Sequence, residues 1–261
     1  MNRNDIKRAG AVFQFTDIRV AFALLTRLPL PYPQLDANRP AAVAAWAYPL
    51  VGLAVGFITI LTIAGAMAVG LPTPVAALFG LLAGTLTTGA IHEDGLADCA
   101  DGFWGGWTRA RRLEIMKDSQ IGTYGVLALV VSFCLRWQAI VLLINADAQM
   151  ALIPAATVSR SAMVWMMHRL PNARSSGLSQ QTGKPEFNTM VMALSIGIMA
   201  VFFTADVPRL MPVAIAALCT FGLSKLAMVK IGGQTGDVLG GTQQVVEIAL
   251  LLTILSSVGN A

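Results

Sequence analysis

Four carboxylic acids, Glu93, Asp94, Asp98 and Asp101, follow one another closely in His92-Glu93-Asp94-Gly95-Leu96-Ala97-Asp98-Cys99-Ala100-Asp101-Gly102. Asp94, Asp98 and Asp101 are spaced i, i+4, i+7, which on a helix stacks them on one face. Like charges so arranged repel, so a cation must sit among them. Hard oxygen donors suit Mg²⁺ or Mn²⁺, and Mg²⁺ commonly arrives with a substrate phosphate. The spacing therefore predicts a metal site for phosphate chemistry, with Glu93, Asp94, Asp98 and Asp101 as candidate ligands. An acidic, solvated face beside a membrane is the plainer alternative.

A second stretch, Lys230-Ile231-Gly232-Gly233-Gln234-Thr235-Gly236-Asp237-Val238-Leu239-Gly240-Gly241, exposes backbone around a single carboxylate. A glycine-rich turn alone is a weak phosphate signal, but Asp237 at its end strengthens it. Gly232, Gly233 and Thr235 are candidate phosphate contacts, and Asp98 and Asp237 are candidate catalytic carboxylates. Cations recur around both stretches. Arg27, Arg109, Arg112, Lys117, Arg174 and Lys225, with Ser119 opening a Gly-containing turn, are further candidates to hold phosphates. Arg160 joins them from within an apolar segment.

The elements that must position these residues are membrane helices. Of 261 residues, 56% are hydrophobic and only 12% charged, and the mean hydropathy is +0.67; soluble domains carry about 25% charged residues. Cys99, Cys134 and Cys219 offer neither a disulfide framework nor zinc spacing. The basic N-terminus (Arg3, Lys7, Arg8) lacks the pattern of a cleaved signal peptide.

The chain reads as one all-α integral membrane domain over 1–261, a polytopic helix bundle. Residues 1–43 form a cytoplasmic N-terminal segment with an interfacial helix near 15–28, ended by Pro29 and Pro31. Residues 44–258 form a transmembrane bundle of about seven helices, near 44–69, 75–91, 124–144, 150–167, 190–203, 210–229 and 239–258. Arg136, Arg160 and Glu247 fall inside spans. An arginine there costs about 2.5–3.5 kcal/mol on insertion scales, so Glu247 is expected to pair with Arg136 or Arg160. Basic residues concentrate in alternate connections, which sets the N-terminus and both motifs on the cytoplasmic side.

Glu93-Asp94-Gly95-Leu96-Ala97-Asp98-x-x-Asp101-Gly102, Ile121-Gly122-Thr123-Tyr124-Gly125 and Gly232-Gly233-x-Thr235-Gly236-Asp237-x-x-Gly240 resemble the cobalamin synthase (adenosylcobinamide-GDP ribazoletransferase) family, over essentially the whole chain. Arg27-Leu28-Pro29 fits as well, while Gly241 stands where Ala is more usual. The resemblance implies a Mg²⁺-dependent enzyme of the inner membrane. It would join adenosylcobinamide-GDP to α-ribazole, or its 5′-phosphate, and release GMP. The implied partners are those two substrates, the lipid bilayer and other corrinoid-assembly enzymes, with no nucleic acid. Two other classes compete: a CDP-alcohol membrane phosphotransferase, whose Asp-Gly-x-x-Ala-Arg opening is missing here, and an ion or solute transporter, which the one-sided placement of ionisable residues disfavours.

Overall fold

In a computed structural model of the chain, residues 13–31, 40–204 and 210–258 are described. Arg3, Lys7, Arg8 and the expected turn at Asp206–Arg209 lie outside them. Among the described residues the structure is helical: α1 (Phe15–Leu25), α2 (Tyr48–Ala68, continuing a 3-10 segment Ala41–Ala47), α3 (Thr73–Thr88), α4 (Ile91–Gly105), α5 (Arg109–Ile115), α6 (Thr123–Asn145), α7 (Leu152–Arg169), α8 (Leu178–Thr182), α9 (Phe187–Thr204), α10 (Leu210–Ile231) and α11 (Gly236–Val258).

Five helices are individually long and apolar enough to cross a bilayer: Ala41–Ala68, Thr123–Asn145, Gln149–Arg169, Leu210–Ile231 and Gly236–Val258. α3 and α4 pass together as a sixth, broken span bent by 86°, and Phe187–Phe202 is apolar but shorter. The polytopic all-α expectation therefore holds. The second span differs from the straight 75–91 helix expected. It stops at Thr88, Gly89 (φ 65°) and Ala90 (φ 58°) turn left-handed, and the acidic residues ride on a separate helix. The stop is a Schellman-type cap, with the Gly89 amide donating to Leu86 O and the Ala90 amide to Thr85 O.

α7 is the central helix, buried almost along its whole length, and it packs against α2, α9 and α11. α11 also lies along α4 and against α10 and α6. α1 rests on the 3-10 segment and α2. Asp17 near its start is buried and accepts a hydrogen bond from Trp46 Nε1 at 3.0 Å, which locks this amphipathic helix over the end of the bundle.

Candidate active site

The crossing of α4 and α11 builds the site. A Cβ on Gly95 would lie 2.7 Å from Asp237 O, and one on Gly240 3.1 Å from Ile91 O, so the two backbones touch where neither has a side chain. This contact carries Asp94 and Asp98 of α4 to Asp237 at the start of α11. Asp98 is within electrostatic reach of Asp94, Asp237 and Asp101, and Arg174 offsets part of their repulsion. Arg174 Nη1 lies 3.2 Å from Asp237 Oδ2. Thr235 Oγ1 donates to the same carboxylate at 3.1 Å and accepts from the Val238 amide, capping α11.

Asp94, Asp237, Arg174 and Thr235 border a cavity of about 450 Å³. Its charged or polar lining is completed by Arg27 and the Asn172–Thr182 loop. Its apolar lining includes Leu24 and Leu25 of α1, Tyr48, Met163, Met167 and Leu239.

Backbone pairing holds the loop to the glycine-rich turn. The Gln234 amide donates to Pro171 O and the Ala173 amide to Gln234 O, both at 2.8 Å. Ser179 Oγ donates to Gln234 Oε1 at 2.6 Å, and Gln234 Nε2 donates to Asn172 Oδ1. A side chain at Gly233 would collide with Pro171 O. Arg109 fastens both strands of this clasp, donating through Nε to Ile231 O at 2.7 Å and through Nη2 to Ala173 O at 3.1 Å. Sequence reasoning missed Gln234, Asn172 and Ser179; the only sequence signal was that Gln234 falls inside the glycine-rich stretch and the other two lie near Arg174.

Other expected residues fall elsewhere. Glu93 and Asp101 do not join Asp94 and Asp98 in one ligand set. The position before Asp94 turns Glu93 into the bundle, where Oε1 lies 2.9 Å from Arg136 Nη2. Asp101 is buried and accepts from the amides of Gly122 and Gly125 at 2.7 and 2.9 Å, so its carboxylate caps α6. Among the described residues, no three His, Cys, Asp or Glu side chains form a ready-made metal cluster. Arg112 donates to Gly106 O and Lys230 O, and with Arg109 it neutralises the carbonyl end of α10. Two glycine-turn amides are likewise engaged: Gly232 N–H closes α10, and Gln234 N–H joins the clasp. Lys117, Ser119 and Lys225 are exposed away from the cavity lining. Arg160 is fully buried.

Beneath the cavity lies a second polar cluster. Arg136 bridges Glu93 at 2.9 Å and Glu247 at 3.5 Å, and Arg160 Nη1 lies 3.9 Å from Glu247. Glu247 therefore takes both arginines expected of it. Gln243 donates to Glu247 and to Ser159, Gln244 to Glu93, and Ser132 to Gln244. Two carboxylates and two guanidiniums balance there, as charges removed from water require. The signal for Ser132, Ser159, Gln243 and Gln244 was present, since polar residues inside apolar spans need partners. His92 borders both this cluster and the cavity.

A polytopic helical membrane protein with carboxylates and arginines converging on one cavity belongs to the class of integral membrane enzymes that handle charged substrates. The family description Cobalamin-5-phosphate synthase matches residues 17–255, and the chain belongs to that family. Proteins named adenosylcobinamide-GDP ribazoletransferase are similar along nearly their full length. That of Azorhizobium caulinodans is 42% identical over 92% of this chain and 95% of its own. That of Bradyrhizobium diazoefficiens is 41% identical over 90% and 92%, and one from Sinorhizobium sp is 42% identical over 90% and 94%. No solved structure matches.

Proposed function

We infer that the chain is an adenosylcobinamide-GDP ribazoletransferase, acting in the nucleotide-loop assembly of cobalamin, and that the α4–α11 cavity is where the transfer takes place. The activity follows from the family and its like-named relatives. The observation that carries the location is that Asp94, Asp237, Arg27 and Arg174 all line one cavity large enough for a nucleoside. A ribose hydroxyl of α-ribazole, or of its 5′-phosphate, attacks the phosphorus on the cobinamide side of the diphosphate. The bond from that phosphorus to the bridging oxygen breaks, and GMP leaves with the electron pair.

Arg174, held in orientation by Asp237, and Arg27 bind phosphoryl oxygens. Asp237 also takes the proton from the attacking hydroxyl. Asp94 and Asp98 are the carboxylates that fit Mg²⁺. Mg²⁺ is ordinarily held by one or two carboxylates together with substrate phosphates, which suits a site without a protein cage. When bound, the ion neutralises charge on the diphosphate and the departing GMP. Arg109 and the Gln234 clasp hold the loop that carries Arg174, and Arg112 fastens the end of α10 beside it. The alternation of basic connections favours a cytoplasmic-membrane protein whose N-terminus and cavity face the cytoplasm, where other corrinoid-assembly enzymes would deliver substrate.

The test uses purified protein in detergent with adenosylcobinamide-GDP, α-ribazole and Mg²⁺. GMP and a cobalamin product should appear in equal amounts, and EDTA should stop both. GMP release without a cobalamin product, or full activity in EDTA, would contradict the reading.

A further inference from the structure

The cavity lining is of two kinds, and the transfer chemistry uses only one of them. Besides the charged groups, Leu25, Tyr48, Met163, Met167 and Leu239, from four separate segments, line the cavity. All five are otherwise buried in the bundle, none more than 6% exposed, so they offer the cavity fixed apolar edges. Apolar lining in the same cavity as phosphate-binding groups matches a ligand with a charged end and an apolar end.

Size narrows the choice. A cavity of about 450 Å³ takes a nucleoside whole, whereas a corrin ring with its appended nucleotide can insert only its diphosphate end. Chemistry narrows it again. Guanine carries hydrogen-bonding groups around most of its edge, which these apolar side chains would leave unpaired, whereas the polar residues of the Asn172–Thr182 loop line the same cavity elsewhere. The base of α-ribazole is a bicyclic aromatic ring with two methyl groups and one free ring nitrogen. Methionine suits such a ring, since its thioether is adaptable and makes favourable contacts with aromatic edges.

We propose that Leu25, Tyr48, Met163, Met167 and Leu239 form the subsite for the aromatic base of α-ribazole and set the enzyme's base specificity. The inference rests on the ribazole-transfer reading, and on the charged lining residues being the phosphate end.

Steady-state kinetics on the full chain in detergent test it, with each substrate varied separately. Met167→Gln should raise KM for α-ribazole at least tenfold and leave KM for adenosylcobinamide-GDP within twofold; Met167→Leu should stay close to wild type. A second arm needs no variant. Wild-type protein should prefer α-ribazole over the unmethylated benzimidazole riboside by about tenfold or more, since each apolar group in such a pocket is worth roughly 10–200-fold, and over an adenine riboside by more. Equal changes in both KM values, or a rise only for adenosylcobinamide-GDP, would overturn the assignment. So would discrimination below threefold across the nucleosides. These failures differ from failure of the underlying reading, in which wild-type protein releases no GMP with any nucleoside.

Discussion

Glu93 and Asp94 are neighbours on one helix, yet they belong to opposite kinds of environment. Glu93 points into the bundle, buried, against Arg136. Asp94 is exposed and lines the cavity beside Asp237 and Arg174. Below, each carboxylate has a guanidinium within reach, and glutamine and serine side chains complete the network. Above, Asp94, Asp98 and Asp237 crowd together with too few cations to balance them. The balanced network ties four helices, α4, α6, α7 and α11, together; an unbalanced one leaves negative charge to be met by something that binds. The rotation of about 100° between successive helical residues separates framework from site, so one acidic stretch supplies different residues to each.

The largest expected effect breaks the lower region. Arg136→Ala leaves Glu93 buried and unpaired, and removing one partner of a buried pair costs about 3–5 kcal/mol. Thermal unfolding in detergent should show a sharply lower midpoint or no folded protein. In the upper region, Asp94→Asn should reduce kcat by about 10²–10³-fold, the scale of losing one electrostatic contact in an active site. Its unfolding midpoint should stay near wild type, because Asp94 is exposed. Gly95→Ala probes the seam between the regions. The added methyl meets the Asp237 backbone, so both stability, by about 1–3 kcal/mol, and activity should fall. The smallest effect is expected from Asp101→Asn. It weakens the cap on α6 by about 1 kcal/mol while activity per folded molecule changes little. A hundredfold loss of activity there, with the fold intact, would return Asp101 to the metal site.

Much of this was legible in the sequence because membranes make strong rules. Long apolar stretches must be helices, and intramembrane Arg136, Arg160 and Glu247 must find each other. Asp94, Asp98 and Asp237 stood out because carboxylates cluster at a cost, and the structure brings the three together. That Arg109 and Arg112 donate to backbone carbonyls was not legible. A guanidinium serves a carbonyl end and a phosphate equally well, and only the placement of α10 decides. The capping role of Asp101 was hidden for a related reason: i, i+7 spacing puts it on the acidic face, and nothing local announces that the Gly122 and Gly125 amides meet its carboxylate there. The bend at Gly89-Ala90 was hidden because Ala90 gives no sign of a left-handed backbone. The clasp through Gln234 depends on a long-range pairing that no local pattern announces.

The central claim is that the chemistry belongs to the upper carboxylates and the framework to the lower ones. The most direct test compares Asp237→Asn with Glu247→Gln, measuring GMP released per folded molecule with both substrates and Mg²⁺. The account predicts a loss of about 10²-fold or more for Asp237→Asn. Glu247→Gln should yield less folded protein, but what folds should work within tenfold of wild type. Equal losses, or a dead but well-folded Glu247→Gln beside an active Asp237→Asn, would contradict it.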